Sequence, residues 1–302
     1  MKRKNNGFLK SFSKILGYNA KCAACILAAV LLAAAAGVYC IVAYSRTGTV
    51  MPTAELIDGR PTFRFIDVGQ GDCTLVTYRG EAVLIDSGPA SVSSSAAEYI
   101  RTYAPHIDYF IITHPHEDHM GGCESVLRAA DVDCLVLSTL TSGEEFYTGA
   151  IEAAEERGCE IMYLDGGCTL DTGNITVTVY DVFPYFSDDI NNSSLFVTIE
   201  ADGTKLLVTG DAEEGEEEYA ADKYGTLLDC DILKIGHHGS RTSTSEKFLD
   251  AALPETAVIS CGKNNSYGHP SHEVVKRLGE RGVEVRRTDK EGNVVLRGGS
   301  GK

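Results

Sequence analysis

Short apolar runs rich in β-branched and aromatic residues alternate with helical segments along the first half of the chain. Runs of about four to eight such residues, bounded by Gly, Pro, Asn or Asp, are typical of strands. The predicted strands are TFRFIDV (62–68), CTLVTY (73–78), AVLIDSG (82–88), IDYFIITH (107–114) and DCLVLST (133–139). Helices are predicted over 91–103, 121–130 and 143–158.

The second half of the chain repeats this alternation. Strands are predicted within 159–164, 174–182, 194–211, 230–240 and 256–262, and helices over 212–225, 245–254 and 271–282. The last two apolar segments, VEVRRTD and GNVVLRG, are interpreted as a closing hairpin. Two sheets with helices outside them predict an α/β fold of four layers, an αββα sandwich over 62–302.

An uncharged apolar segment, CAACILAAVLLAAAAGVYCIVAY, occupies residues 22–44. About 20 apolar residues cross a bilayer, so this segment is interpreted as an N-terminal transmembrane helix after a basic tail over 1–21. The basic tail predicts a cytoplasmic N-terminus, with a linker over 45–61 leading to an external domain. A cleaved signal peptide, and thus a secreted protein, is the alternative, although the apolar stretch exceeds the usual core of about 7–15 residues.

Charge and cysteine content narrow the possible functions. The 302 residues include 43 acidic against 27 Lys and Arg, a formal net charge of −16, and the first 45 residues contain no acidic one. The rest of the chain is therefore strongly acidic and offers no general attraction for DNA, which favours a basic surface. The cysteines after residue 45 form no CxxC pair. Neither a disulfide framework nor a zinc finger is indicated.

The segment THPHEDHMGG (113–122) gathers three histidines and two carboxylates immediately after a predicted buried strand. Side chains two positions apart on an extended chain point the same way, so His114 and His116 can bind one ion together. Asp118 and His119 lie further around the turn and can serve a second ion. Imidazole and carboxylate ligands suit zinc, manganese or iron. The alternative is a solvated polar loop that is rich in histidine.

Several motifs in a fixed order resemble the metallo-β-lactamase superfamily, and in particular the hydrolase domain of the competence protein ComEC. They are FIDVGQGDCTLV (65–76), LIDSG (84–88), THPHEDHMGG, NNSSLFVTIE (191–200), LLVTGD (206–211), LKIGHHGS (233–240) and NSYGHPS (265–271). The motifs cover nearly all of 62–295, and together they are far more specific than an isolated HxHxDH.

The resemblance implies two divalent metal ions, zinc or manganese, as cofactors. The implied metal ligands are His114, His116, Asp118, His119, Asp211 and His238. The first two would hold one ion, the next two and the last would hold the other, and Asp211 would bridge both. His237 is the alternative to His238 and is otherwise expected to contact the substrate. Asp86 is expected to support the metal loop, or else to be an ordinary turn residue.

One departure from the superfamily pattern is that no histidine occurs between 120 and 236, so the first ion would have fewer protein ligands. The NNSS segment stands in that region, where Asn191 or Asn192 either orients substrate or water or simply forms a turn. His269 is expected to bind phosphate or to protonate the leaving oxygen, unless it is only a turn residue before Pro270. Further candidate contacts for the phosphate are Ser240, Lys263 and Ser271.

These features predict a metal-dependent hydrolase, specifically a two-metal phosphodiesterase outside the cytoplasmic membrane. Its expected partners are the membrane, through the N-terminal helix, and a phosphodiester substrate, either DNA or another nucleic acid or a phosphorylated envelope component. No protein partner is evident. An ester, lactone or lactam hydrolase on the same fold is the first alternative, and a non-catalytic binding module is the second.

Overall fold

The computed structural model describes residues 59–164, 167–181 and 190–299. The predicted tail and transmembrane segment, residues 1–44, lie outside these ranges, as does most of the predicted linker. Within the described ranges, no helix combines the length and the apolar composition needed to span a bilayer.

Seven strands form the first sheet, in the order β14-β1-β2-β3-β4-β5-β6. They are β1 (Thr62–Phe65), β2 (Thr74–Tyr78), β3 (Glu81–Ile85), β4 (His106–Ile111), β5 (Asp131–Ser138), β6 (Glu160–Leu164) and β14 (Val294–Arg297). Strands β3 to β6 are parallel, and the other neighbours are antiparallel. The sheet is therefore mixed, with its parallel half on the side of β6.

The second sheet also has seven strands, in the order β13-β12-β11-β10-β9-β8-β7. Its strands are β7 (Cys168–Asp171), β8 (Ile175–Tyr180), β9 (Phe196–Ala201), β10 (Thr204–Val208), β11 (Ile232–Lys234), β12 (Thr256–Ile259) and β13 (Glu284–Arg287). Strands β10 to β13 are parallel, and the neighbours from β10 to β7 are antiparallel.

Helices cover the outer face of each sheet. They are α1 (Ser93–Tyr103), α2 (Glu117–Met120), α3 (Cys123–Ala129), α4 (Glu145–Arg157), α5 (Glu214–Tyr224), α6 (Glu246–Ala252), α7 (His272–Glu280) and α8 (Thr288–Glu291). Short 3₁₀ helices occupy Ala90–Val92, Ile190–Ser193, Gly225–Leu228 and Gly236–Gly239. Helices α1, α3 and α4 pack on the first sheet, and α5, α6 and α7 pack on the second.

Three apolar clusters fill the spaces between these layers. Neighbouring strand residues face opposite sides: Leu84 packs against the helices of the first sheet, while Val83 packs between the two sheets. On the second sheet, Leu206 faces the space between the sheets and Leu207 faces the helices. Both faces of each sheet are thus buried, which confirms the predicted α/β sandwich, and both of its sheets are mixed.

The predicted closing hairpin is wrong. Strand β13 pairs in parallel with β12 at the edge of the second sheet, whereas β14 pairs antiparallel with β1 at the edge of the first. Helix α8 lies between the two strands and carries the chain from one sheet to the other. Two adjacent strand-like segments with a turn between them do not reveal which sheet each one joins, because pairing depends on distant partners.

The carboxyl ends of the central parallel strands meet at one edge of the sandwich. The N–H of Leu195, just before β9, donates to the carbonyl of Thr113, just after β4, at 2.9 Å and joins the two sheets there. The N–H of Asp86 donates to the carbonyl of Ile111, and the N–H of His237 donates to that of Gly210. The loops that carry the predicted chemical motifs are therefore held together at this edge.

Candidate metal centre

The metal motif forms one tight turn after β4. His114 lies on the extended chain just beyond the strand, and its Nε2 is 3.0 Å from Nδ1 of His116. Asp118 and His119 lie on the single turn of α2. His114 and His119 are buried, whereas His116 and Asp118 are partly exposed. The turn thus presents four potential ligand groups, two of them from the interior.

Asp86 holds this turn from inside. It is fully buried in the left-handed region (φ 56°), and its carboxylate accepts the N–H and the hydroxyl of Thr113. The same carboxylate lies 2.8 Å from Nδ1 of His119. A carboxylate that engages one ring nitrogen orients the other, so Nε2 of His119 faces the centre of the site. Asp86 thus contacts the metal motif at Thr113 and His119, and its support of a bound metal stays a prediction.

Asp211 follows β10 and projects into the same space. Its Oδ1 is 3.1 Å from Nε2 of His119, and its Oδ2 is 3.4 Å from Nε2 of His238. The backbone N–H of Asp211 donates to Oγ of Ser194 at 2.9 Å, and that hydroxyl is also 3.3 Å from Nδ1 of His114. Sequence reasoning pointed to Asn191 and Asn192 in the NNSS segment and missed Ser194, which contacts both halves of the site.

The two adjacent histidines 237 and 238 differ in their surroundings. Both have left-handed backbones, with φ of 47° and 53°. His238 is buried, and its Nε2 lies 3.2 Å from Oδ2 of Asp118. The side chain of His237 is 21% exposed, and its Nε2 is 3.8 Å from Oδ2 of Asp211. The geometry places His238 inside the cluster and His237 at its rim.

A buried ion pair supports His238 from behind. Oδ1 of Asp72 is 3.1 Å from Nδ1 of His238, and Oδ2 of Asp72 is 2.7 Å from Nζ of Lys234. Both charged side chains are buried. Because both carboxylate oxygens are engaged in this way, Asp72 orients the histidine ring rather than facing the centre. Sequence reasoning missed this pair, whose only signal was a lysine within the apolar strand ILK.

Burial and charge set the protonation of the cluster. Burial opposes a charge on His119 and His238, but the nearby carboxylates, led by Asp211, outweigh it and raise both pKa values well above the usual one. Burial also opposes ionisation of Asp211, yet the two histidines hold the pKa of its carboxyl well below its usual range. Burial lowers the pKa of His114. Protons on His119 and His238 would be released when a cation binds.

The arrangement fits a bound divalent cation. One ligand atom from each of Asp72, His119, Asp211 and His238 lies within 4.8 Å of the others. Nε2 of His119 and Oδ1 of Asp211 are buried and 3.1 Å apart, and they face only each other in the described part of the chain. A cation bound by both atoms would take the place of the proton that His119 holds against Asp211 in its absence. Imidazole and carboxylate are suitable donors for such an ion.

A loop after β12 forms the rim of the site around His269. Nδ1 of His269 is 3.4 Å from Nε2 of Gln70, whose Oε1 accepts the N–H of Gly262 at 3.0 Å. The His269 ring centroid is 5.7 Å from that of His237. Burial first, and then His238 and His237, lower the pKa of His269 to about 4. His269 is therefore neutral at neutral pH and borders the metal cluster.

The other predicted substrate contacts are distributed around this rim. Oδ1 of Asn192 accepts the N–H of Glu213, and the carbonyl of Asn191 accepts the N–H of Ser194. The buried Ser240 hydroxyl is 3.0 Å from that of Thr242. Lys263 is exposed, while the Ser271 hydroxyl accepts the N–H of Val274 and caps α7. Asn192 and Ser271 thus have structural contacts, and the role of all five toward substrate stays a prediction.

A second group of potential ligands lies at the start of β4, away from this edge. Nε2 of His106 is 3.3 Å from Oδ2 of Asp133 and 3.8 Å from Oδ1 of Asp108. All three side chains are partly or fully exposed. Water can hydrate these groups, so their grouping does not require an ion.

A family model described as "Metallo-beta-lactamase superfamily" matches residues 66–263. The match includes the strands, loops and histidine motifs that build most of the candidate centre. His269 lies beyond its end.

Curated proteins similar to the chain include ComE operon protein 3 of Bacillus subtilis, with 32% identity over 252 residues. That alignment covers 77% of this chain and 32% of the relative. Competence protein ComA of Neisseria gonorrhoeae is 33% identical over 237 residues, covering 75% of this chain and 30% of the relative. The chain therefore spans about a third of the length of these curated relatives.

Solved structures share the fold at low sequence identity. CmlA, a diiron β-hydroxylase from Streptomyces venezuelae, matches 79% of this chain and 54% of its own, with a TM-score of 0.56 and 15% identity. The metallo-β-lactamase fold protein YhfI from Bacillus subtilis matches 79% of this chain and 100% of its own, with a TM-score of 0.51 and 13% identity.

Proposed function

Since the chain belongs to the metallo-β-lactamase superfamily, we propose that it is a metal-dependent hydrolase, and specifically a two-metal phosphodiesterase. The observation that carries this proposal is the convergence of His119, His238 and Asp211 on one buried space, where Nε2 of each histidine lies 3.1 or 3.4 Å from the Asp211 carboxylate.

We assign the ligands to two divalent ions, zinc or manganese. One ion would be held by His114 and His116, whose nitrogens face each other at 3.0 Å. The other would be held by a group of three: Asp118, His119 and His238. Asp211, whose carboxylate contacts His119 and His238, is assigned to both ions, as the resemblance to the superfamily implies. A pair of divalent ions supplies Lewis-acid polarisation of a phosphoryl oxygen and activates water for attack.

The surrounding side chains fix the ligands. Asp86 engages the outer nitrogen of His119, and Asp72 engages that of His238. The hydroxyl groups of Thr113 and Ser194 lie 3.2 and 3.3 Å from Nδ1 of His114. Ligating histidines generally need such partners to hold the ring and its tautomer. The chain is therefore organised to present its inner nitrogens without rearrangement.

His269 is proposed to donate a hydrogen bond to the substrate phosphate. The Oε1 of Gln70 accepts the Gly262 N–H, so the amide nitrogen of Gln70 faces Nδ1 of His269 and donates to it. The proton of the neutral ring then lies on Nε2. With a pKa of about 4, His269 is uncharged at neutral pH. This favours phosphate binding over protonation of the leaving oxygen.

Other rim residues are proposed to contact the substrate. His237 is suited to this because it is partly exposed and close to Asp211. Further proposed contacts are Asn191, Asn192, Ser240, Lys263 and Ser271. The substrate is proposed to be a nucleic acid or a phosphorylated envelope component. The similarity to a competence protein supports the first of these.

The proposed place of action is outside the cytoplasmic membrane. The uncharged segment 22–44, preceded by a tail without acidic residues, supports an anchor with its N-terminus inside. The hydrolase domain would then begin at residue 62, after a linker over 45–61. Secretion after cleavage within the apolar segment is the alternative.

Turnover of bis(p-nitrophenyl) phosphate tests the proposed reaction. The full-length chain in detergent is stripped of metal and assayed alone, with zinc and with manganese. We expect turnover only with added metal, and a loss of about a thousandfold or more in His114→Ala. His272→Ala, an exposed histidine at the start of α7, is the matched control and should retain full activity.

Parallel assays with a p-nitrophenyl carboxylic ester, a lactone and a β-lactam distinguish the alternatives. If the metal-loaded chain hydrolyses one of these but not the phosphodiester, the fold carries an ester, lactone or lactam hydrolase instead. If it binds metal but hydrolyses none of them, the proposed enzyme activity is wrong.

A further inference from the structure

A row of rings leads from the candidate metal centre to the protein surface. The ring centroids of His119 and His238 are 5.2 Å apart, and those of His238 and His269 are 6.3 Å apart. Tyr267 stacks on His269 at 5.7 Å, with an angle of 27° between the rings. Tyr267 is 70% exposed, which makes it the most exposed large hydrophobic side chain in the described part of the chain. The metal centre is thus connected to an exposed aromatic ring.

The backbone around Tyr267 is fixed by one side chain. Oδ1 of Asn265 accepts the N–H of Tyr267 at 3.1 Å and the N–H of His269 at 3.0 Å. Nδ2 of Asn265 donates to the carbonyls of His269 and Gly262, at 2.6 and 2.9 Å. The ring is therefore exposed on a loop that is already ordered. A ligand that covers the ring would therefore bind with little loss of conformational entropy from ordering the loop.

The same loop is tied to the metal centre on two sides. Gln70 contacts both Gly262 and His269. The N–H of Ser271 donates to the carbonyl of Gly239 at 2.8 Å, which joins the loop to the 3₁₀ helix that carries His238. Tyr267 consequently has a defined position relative to the proposed ligands.

Two basic residues accompany this ring. Lys263 lies on the same loop, and Arg241 follows the 3₁₀ helix of His238 and the buried Ser240. Both are exposed, and neither forms an ion pair within the described ranges. In a chain with a net charge of −16, these two exposed cations, close in sequence to His238 and Tyr267, are available to phosphate groups.

We propose that Tyr267 is the floor of a nucleobase subsite, on which a base next to the scissile phosphodiester stacks while Lys263 and Arg241 contact neighbouring phosphates. This inference rests on the proposed function and narrows its substrate to single-stranded nucleic acid. An aromatic face beside a positively charged path is the usual means of binding single strands without sequence preference.

A quaternary ammonium group, as in choline, is the other ligand that seeks aromatic faces, and it is typically held in a cage of several rings. Tyr267 instead lies nearly parallel to His269, the one described ring that is stacked on it. Such a stack leaves one flat face for a ligand, which matches a planar base better than a spherical cation. The structure therefore favours the nucleobase.

Equilibrium binding tests the subsite without relying on turnover. The full-length chain is stripped of metal, and its affinity is measured by fluorescence anisotropy for a short labelled oligothymidylate and for an abasic oligomer of the same length. We expect the wild type to prefer the thymidylate by about tenfold or more, the size of a typical base–aromatic stack. Tyr267→Ala should bring this preference close to one, while Tyr267→Phe should restore it.

Tyr163→Ala is the matched control, because Tyr163 is also exposed, at 47%, but lies on β6 away from the site. It should keep the wild-type preference. Lys263→Ala and Arg241→Ala should weaken binding of both oligomers equally and leave the preference unchanged. A preference that persists in Tyr267→Ala, or that is lacking in the wild type, overturns the subsite.

Two further experiments distinguish this inference from a choline-binding ring and from the proposed reaction. In the first, phosphorylcholine is added as a competitor of the labelled oligomers. If it displaces them from the wild type but not from Tyr267→Ala, and the wild type shows no preference for bases, the ring binds a cation and the nucleobase subsite is overturned. Failure of bis(p-nitrophenyl) phosphate turnover contradicts the proposed reaction alone, because the binding preference is measured without metal and without hydrolysis.

Discussion

Single residues in this site divide into groups that face the centre and groups that hold them. Four of the facing groups lie within the turn after β4, whereas Asp211 and His238 follow strands of the second sheet. The spacing and chemistry of those four were sufficient to predict a metal site at that place. The holding groups are distant: Asp72 and His238 are 166 positions apart. Nothing local in the sequence indicates such a contact, which depends on the packing of two loops from different sheets.

The Asp72–Lys234 pair provides a test at this scale. Asp72→Asn leaves Lys234 buried without its counter-charge and should cost about 3 kcal/mol of the free energy of unfolding. It also weakens the support of His238, so metal affinity should fall about 10- to 100-fold. Chemical denaturation and metal titration measure the two effects separately.

The double variant Asp72→Asn/Lys234→Met separates packing from positioning. It removes the uncompensated charge and should recover most of the lost stability, because Met fills a similar buried volume. Metal affinity should stay low, since the contact to Nδ1 of His238 is still altered. Full recovery of metal affinity would mean that Asp72 acts only through stability.

At the scale of elements, the sequence pattern predicted the strands more accurately than it predicted how they are connected and paired. The runs AVLIDSG and IDYFIITH correctly predicted strands β3 and β4, because each begins with several apolar residues, many of them β-branched or aromatic. Both predicted strands extend beyond the observed ones, which end at Ile85 and Ile111. The residues that follow, including Asp86 and Thr113, are buried in the loops of the site. The closing segments were misread as a hairpin, because β13 and β14 choose partners in different sheets.

The turn between β10 and Asp211 requires a glycine. Gly210 has φ of 54°, and a Cβ there would lie 2.6 Å from Oγ of Ser194 and 2.9 Å from Cβ of Thr113. Gly210→Ala should therefore cost about 2–4 kcal/mol of unfolding free energy and displace Asp211, lowering metal affinity. Gly215→Ala in α5 meets nothing within 4 Å and should be neutral or stabilising by up to about 1 kcal/mol. Equal stability of the two variants in denaturant would contradict this account.

Helix α5 carries a buried acid that makes stability depend on pH. Burial raises the pKa of Glu217 to about 7, although hydrogen bonds from the N–H groups of Ser245 and Thr244 act to lower it. The unfolded carboxyl loses its proton near 4.5, so the unfolded state binds fewer protons between these values. The contribution of Glu217 is complete below about pH 4.5 and is lost as the pH rises toward 7, by about 3 kcal/mol.

Comparison of two glutamine variants isolates this effect. Glu217→Gln should remove the pH-dependent loss, so its unfolding free energy relative to the wild type should rise between about pH 4.5 and 7. Glu218→Gln, at a partly exposed neighbouring position where the carboxylate is 3.9 Å from Nζ of Lys247, should leave the wild-type slope unchanged. Denaturant titrations across this pH range measure the difference. A constant offset between Glu217→Gln and wild type would show that Glu217 does not titrate there.

At the scale of the whole molecule, the candidate metal ligands come from loops of both sheets. The parallel strands of each sheet end at one edge, so His114 and His119 from the first meet Asp211 and His238 from the second. Composition and charge gave the class of the molecule and argued against a general DNA surface, but they could not reveal local features. The exposed Tyr267 with two unpaired cations is such a feature, and only the folded chain brings it to the site.

The central claim is that these two halves together hold two divalent ions. Its most direct test is the metal content of the full-length chain after loading with zinc or manganese and removal of free ions, measured by mass spectrometry of the elements. We expect two ions per wild-type chain, fewer in His114→Ala and in Asp211→Asn, and two in the control His272→Ala. A wild-type chain that retains no more metal than Asp211→Asn would contradict the account.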